Sequence, residues 1–263
     1  MLRGTAREAA AEFFGTFLLV LFGTAVVAQV VLSKETAGDF FSINIAWGLA
    51  VTMAVYATGS ISGAHLNPAV TLAVALYRGF PWGKVFPYVV AQVAGAFVAS
   101  AVTFAVYHEA LDVFDPARTV PGLGGNATAG IWATYPADFL SSVPGGLVDQ
   151  IVGTALLVGV IFALTDPKNA PPGANLAPLL VGGVVALVGM TFGFNCGYAI
   201  NPARDFGPRL FTAVAGWGWE TFQVRDGGWW WVPVVGPLIG GVVGGLAYNL
   251  FIAWHHPDED SAR

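Results

Sequence analysis

The sequence predicts an all-α membrane protein of six transmembrane helices and two re-entrant half-helices, arranged as an inverted repeat. Three observations carry that prediction. The chain is 56% hydrophobic and only 10% charged, where an ordinary soluble domain has roughly a quarter of its residues charged. Six apolar stretches approach the roughly 20 residues that cross a bilayer as a helix. Two Asn-Pro-Ala triplets, Asn67-Pro68-Ala69 and Asn201-Pro202-Ala203, stand at corresponding points of the two halves.

The mean hydropathy of +0.67 leaves too much apolar surface for a water-soluble core to absorb, so lipid must act as solvent. Arg3 and Arg7 precede the first apolar run, which covers about 9–32. It is too long for a signal-peptide core and reads as an uncleaved span. Further spans follow at about 41–59, 84–107, 147–165, 177–194 and 230–254. Two shorter apolar segments begin at Asn67 and Asn201 and last about 12–14 residues, to Arg78-Gly79 and Ala215-Gly216. Neither can span alone.

Each half therefore reads long, long, short, long. Phe13-Phe14-Gly15-Thr16 corresponds to Ile151-Val152-Gly153-Thr154. Three spans per half give the halves opposite orientations. The chain is read as one domain over 1–263, with repeats at about 8–107 and 146–254 and an outer loop at about 108–146. Arg3, Arg7, Arg78, Lys84, Lys168 and Arg263 fall on the side of both termini, against Lys34, Arg118 and Arg225 opposite. That bias predicts cytoplasmic termini and a multi-pass protein of the plasma membrane.

Asparagine is a favoured N-cap and proline a favoured first helical residue, so each triplet starts a helix. The residues before them, Gly63-Ala64-His65-Leu66 and Gly197-Tyr198-Ala199-Ile200, are then extended. Non-helical backbone at membrane depth is tolerated where it lines a wet cavity. Asn67 and Asn201 offer amide donors at the midplane, and Gly63, Ala64, His65, Asn195, Cys196 and Gly197 are candidate carbonyl acceptors. Each half-helix N-terminus adds about half a positive charge, which disfavours cations and protons. Neutral polar solutes are the expected cargo.

Other chemistries find no support in the sequence. One cysteine and four histidines show no metal-ligand spacing, and no basic patch suggests nucleic acid. No nucleophile–base pair or phosphate loop points to an enzyme, and no cofactor is implied. Trp229-Trp230-Trp231 is expected to join an interfacial aromatic belt, and Gly240 with Gly244 to allow close helix packing. A secondary transporter also uses inverted repeats and broken helices; beyond Glu12 and its neighbours, however, the sequence offers no titratable midplane site.

The segments Ser62 to Thr71 and Asn201 to Pro208, with Ala11-Glu12-Phe13-Phe14-Gly15-Thr16, resemble the signature segments of the major intrinsic proteins, the aquaporin and aquaglyceroporin family. The likeness covers about 8–254 and implies an aquaporin-like fold, a pore in each subunit and a homotetramer in the lipid bilayer. It also implies an outer selectivity filter of Trp47, Gly189, Tyr198 and Arg204, with Glu12 and Gln150 supporting the re-entrant loops. Asp205 and Arg209, spaced i, i+4, are expected to pair. Trp47, Gly189, Arg204, Asp205 and Pro237-Leu238 resemble the glycerol-facilitator branch, so the implied solutes are glycerol, other small polyols and water. A mainly water-selective channel, or one for urea, ammonia or metalloid hydroxides, is the alternative. Three departures stand out: tyrosine at 198, Gln150 beside Asp149 where a glutamate is usual, and the polar approach Phe194-Asn195-Cys196-Gly197.

Overall fold

The computed structural model describes residues 2–173, 175–225 and 227–257; Arg263, used above for orientation, lies outside them. Among the described residues eight α-helices follow in order: α1 (Gly4–Leu32), α2 (Phe40–Ser62), α3 (Pro68–Tyr77), α4 (Trp82–Phe114), α5 (Leu147–Thr165), α6 (Ala177–Cys196), α7 (Pro202–Val214) and α8 (Val232–Phe251). Six are long and apolar enough to cross a membrane, and α3 and α7 are not among them. At 10 and 13 residues, these two reach only about 15 and 20 Å at 1.5 Å per residue, against a hydrocarbon core of about 30 Å.

The repeat is visible in the packing. Helices in lipid gain little from hydrophobicity against one another and associate where small residues let backbones approach. A Cβ at Gly95 of α4 would stand 2.3 Å from the Phe13 carbonyl oxygen of α1. In the second half, Cβ atoms at Gly240 and Gly244 of α8 would stand 2.4 and 2.2 Å from the Ile151 and Ala155 carbonyl oxygens of α5. The half-helices cross between halves in the same way: Gly207 of α7 lies on α4 near Val93, and Gly241 of α8 lies on α3 near Ala69. At the centre Gly48 and Gly182 bring α2 and α6 together backbone to backbone. Large apolar side chains such as Phe14, Phe22, Met53, Val106 and Leu187 remain exposed on the outside, as a lipid-facing surface requires.

Two expectations are corrected. Helix α4 continues to Phe114, so the outer loop starts at Asp115 rather than 108. Nothing between His108 and Phe114 breaks a helix, and its polar residues need only leave the apolar zone. Trp229 does not join an aromatic belt: it is fully buried, donates Nε1–H to the Thr134 carbonyl at 2.8 Å and packs on Gly146. Trp230 is partly exposed.

Candidate functional site

The two Asn-Pro-Ala triplets meet tip to tip. Asn67 Oδ1 accepts from the Ala69 N–H at 2.8 Å, and Asn201 Oδ1 from those of Ala203 and Arg204 at 3.0 and 3.3 Å. Each caps its own helix while its amide crosses to the other loop. Asn67 Nδ2 donates to the Ile200 carbonyl and Asn201 Nδ2 to the Leu66 carbonyl, both at 2.8 Å. One N–H of each amide is thereby used, and both asparagines border a cavity of about 460 Å³.

The loops leading to the triplets share an unusual backbone. Ala64, Leu66, Tyr198 and Ile200 all take positive φ, at 49°, 54°, 38° and 41°. A regular strand turns successive residues to opposite sides, and a left-handed residue at alternate positions breaks that alternation. The carbonyls of Gly63, Ala64 and His65, and those of Gly197, Tyr198 and Ala199, accept no hydrogen bond from the described residues. Five of these six residues line that cavity, and Gly197 lines a second, smaller one. The expected register in the second half was two residues early. Asn195 and Cys196 lie in the last turn of α6, and the Asn195 carbonyl accepts from Ala137 N–H at 2.9 Å. The extended segment starts only at Gly197, whose φ of 75° ends the helix.

A second cavity of about 360 Å³ lies beyond the first. Trp47, Tyr198 and Arg204 are common to the linings of both. The Arg204 guanidinium stands 4.2 Å from the Trp47 ring centroid, and its Nη1 donates to the Trp132 carbonyl at 2.8 Å. Gly189, grouped with these residues by sequence, lines neither cavity. The volume its missing side chain leaves is occupied: a Cβ there would stand 2.2 Å from Asn44 Oδ1 and 2.6 Å from Tyr198 Cζ. Gly189 thus seats the Tyr198 ring rather than widening the passage directly. The Tyr198 hydroxyl is itself buried, so the extra oxygen at this position does not reach the lumen.

Buried polar side chains hold the loops from behind. Glu12 accepts from Ser62 Oγ at 2.6 Å, His65 N–H at 2.9 Å, Leu66 N–H at 2.7 Å and Gln92 Nε2 at 2.8 Å. All four donors belong to fixed structural groups, a poor arrangement for a proton relay. Gln150 accepts from one backbone donor, Ile200 N–H, at 2.9 Å. The His65 ring packs on Phe80 and Tyr88 with Nδ1 3.2 Å from Thr71 Oγ1. Asp205 and Arg209 pair at 2.9 Å with both side chains fully buried. Asp205 also takes Thr134 N–H and Oγ1–H at 2.7 and 2.5 Å, while Arg209 donates to the Thr134 and Thr221 carbonyls at 2.6 and 2.8 Å.

Sequence reasoning missed Trp132, Thr134 and Asn44. The first acts through a backbone carbonyl, which leaves no residue signature. The other two lie where only the three-dimensional packing brings them.

Two cavities that meet at one ring of aromatic and cationic side chains, inside six spans and two half-helices, define a membrane channel. The chain belongs to the major intrinsic protein family, whose family model matches residues 3–248; members of this kind are channels and not enzymes. It is similar to aquaporin-10 of Milnesium tardigradum, 49% identical over 263 residues that cover 96% of this chain; the chain spans only 64% of that protein's length. It is also similar to aquaporin-10 of Homo sapiens, 47% identical over 253 residues, 96% of this chain and 83% of that one. Among solved structures, the aquaglyceroporin from Plasmodium falciparum superposes with a TM-score of 0.84 at 30% identity, covering 95% of this chain and 97% of the other.

Proposed function

We propose that the chain conducts glycerol and related small neutral polyols down their gradients, with water sharing the path, while ions and protons are held back. The observation that carries this reading is the ring common to both cavities. Trp47 and Tyr198 present apolar ring faces, and Arg204 presents donors. A polyol has a carbon face for the rings and hydroxyls for the guanidinium. Further along, its hydroxyls find the unpaired carbonyls of Gly63 to His65 and Gly197 to Ala199, and the remaining amide hydrogens of Asn67 and Asn201. A donor and an acceptor on every carbon match this alternation; an ion has no replacement for its full hydration shell. The positive ends of α3 and α7, with Arg204, raise the barrier to cations. The similarity to aquaporin-10 and to an aquaglyceroporin supports the same reading.

Assembly as a homotetramer, residence in the plasma membrane and cytoplasmic termini belong to the same proposal. Lys84 bonds Glu8 near the start of α1 and so shares the side of Arg3 and Arg7, while Lys34 lies 6.0 Å from the Phe114 ring at the opposite ends of α1 and α4; the excess of basic residues on the first side supports cytoplasmic termini. Stopped-flow light scattering on proteoliposomes tests the solute. Glycerol re-swelling no faster than in protein-free vesicles would remove the polyol reading and leave a water, urea or metalloid channel. Glycerol accumulation against its gradient that an ionophore abolishes would instead identify a coupled transporter.

A further inference from the structure

The two halves hold their re-entrant segments with unlike chemistry. In the first half one carboxylate, Glu12, receives two backbone N–H groups, from His65 and Leu66. In the second, Gln150 has a single oxygen, and it receives Ile200 N–H at 2.9 Å. A carboxamide has two faces. Turned over, Gln150 would set its NH₂ against that N–H, donor facing donor. Something must fix the orientation.

Asp149 is placed to do so. Its Oδ2 accepts from Gln150 Nε2 at 3.2 Å, and Cys196 Sγ, itself bonded to that carboxylate, accepts from the same nitrogen at 3.1 Å; together they turn the amide nitrogen toward Asp149 and the oxygen toward Ile200. The same Oδ2 accepts from Cys196 Sγ at 3.1 Å, and Oδ1 accepts from Asn195 Nδ2 at 2.7 Å. Asn195 and Cys196 are the final turn of α6, directly before Gly197 turns the chain into the second loop. One buried carboxylate therefore grips both the amide behind Ile200 and the helix end before Tyr198. Among the described residues it has no cationic partner; its hydrogen-bond donors are two amides and a thiol. A buried charge held only by neutral donors is costly to keep, so its four-residue cluster calls for a role.

We infer that Asp149 is a positioning residue for the outer constriction, acting through Gln150, Asn195 and Cys196 to set the Gly197–Ile200 backbone and the seat of the Tyr198 ring. The carboxylate that Glu12 supplies in the first half stands one residue earlier in the second, and Gln150 relays its effect. This inference rests on the reading of the 197–200 loop as pathway wall.

The test uses substitutions that keep shape: Asp149→Asn, Gln150→Glu and the double variant carrying both, purified and reconstituted at equal channel density. Glycerol and water permeabilities are measured on each. Asp149→Asn leaves one oxygen and a donor where two oxygens served three donors, so Gln150 and the Asn195 end of α6 can no longer both be held; it is expected to lower the glycerol-to-water ratio about tenfold, the scale of one hydrogen bond to a charged group. Gln150→Glu sets two buried carboxylates in contact and is expected to lose the ratio or the assembled protein. In the double variant the carboxylate moves to position 150, where it receives Ile200 N–H directly, and the carboxamide at position 149 donates to it. Its ratio is expected to return to within about twofold of the wild type. A space-filling role predicts no such rescue. An unchanged ratio in Asp149→Asn, or a double variant no better than the worse single one, overturns the inference. If Asp149→Asn does not assemble, the double variant alone decides: assembly with a wild-type ratio supports the inference, and failure overturns it. A wild-type protein impermeable to glycerol defeats the polyol reading separately, and the same order of variants is then read on water permeability.

Discussion

A methyl group at position 189 probes the outer ring most directly. The Cβ of Gly189→Ala would stand 2.2 Å from Asn44 Oδ1, 2.6 Å from Tyr198 Cζ and 2.9 Å from Tyr198 Cε1. Carbon atoms rest about 3.5–4.0 Å apart, so the ring must retreat by roughly 1 Å. Toward the next turn of α6 the ring already rests on the bare backbone of Gly193, where even a Cβ would fall 2.9 and 3.1 Å from its Cδ1 and Cε1, so little room is left on that side. The remaining free direction is the lumen, which Tyr198 lines on both sides of the constriction. Overpacking of this kind costs about 1–3 kcal/mol. Expressed as a barrier to a solute that fills the ring, that range lowers glycerol permeability by roughly 5- to 150-fold. Water is smaller than a polyol, does not need the full width of the ring, and should lose less than about threefold. Stopped-flow shrinkage and re-swelling of proteoliposomes, with channel number fixed by quantitative blotting, gives both values. Equal losses of glycerol and water, or wild-type glycerol flux in a folded variant, would refute the placement of the Tyr198 ring between α6 and the pathway.

Other outcomes follow from the same geometry. Arg204→Ala removes the cation over Trp47 and strands the Trp132 carbonyl; proton leak, followed with a pH-sensitive dye inside vesicles, should rise by at least about tenfold, and an unchanged leak would leave the barrier to the half-helix ends alone. Arg209→Met leaves Asp205 a buried unpaired anion, at about 3–5 kcal/mol, so the detergent-solubilised protein should melt well below the wild type; an unshifted Tm would contradict the pairing. Cys196 is buried with its thiol directed at Asp149, so an impermeant organomercurial should leave permeability unchanged; inhibition that Cys196→Ser relieves would show exposure. Asp115 lies beyond α4: burial pushes its carboxyl up, but hydrogen bonds from Thr128 and Thr119 outweigh that and hold it below the ordinary carboxylate range. A folded value depressed in this way gives stability that is present above the ordinary value of about 3.9 and is lost as pH falls through the lower folded one. Protection against hydrogen exchange in residues 115–131, taken relative to the intrinsic rate at each pH, should therefore be kept at pH 5 and lost only below the ordinary range, whereas Asp115→Asn should lose it at neutral pH.

The parts of this molecule that were legible in the sequence are those dictated by solvent and by backbone caps. Apolar length fixes the spans because lipid satisfies no backbone group, and Asn-Pro fixes the half-helix starts because few other pairs suit both positions. What stayed illegible depends on which neighbour fills a given volume. Gly189 announces a missing side chain, but nothing in its surroundings along the chain says that Tyr198 and Asn44 occupy the space. The carbonyl register in the second loop is misplaced because the apolar run ends at 194, whereas α6 continues through Asn195 and Cys196 until Gly197 ends it. Counting back from the triplets would have placed the carbonyls correctly, since Gly197 stands four residues before Asn201 as Gly63 does before Asn67.

That same count shows where the two-fold symmetry ends and selectivity begins. The backbone repeats closely: positive φ recurs at Ala64 and Tyr198 and at Leu66 and Ile200, and the caps at Asn67 and Asn201 trade amides across the midplane. The charges do not repeat. Arg204, Asp205 and Arg209 occupy positions that hold Val70, Thr71 and Ala75 in the first half. A membrane-depth arginine needs partners, and they come from a segment with no counterpart in the first half. Trp132 offers its carbonyl to Arg204, and Thr134 binds both members of the Asp205–Arg209 pair. The loop between the repeats is therefore part of the constriction. In the function proposed above, the shared backbone geometry makes a continuous path for a neutral solute, and the unshared charges confine the strict selection to the constriction at Arg204.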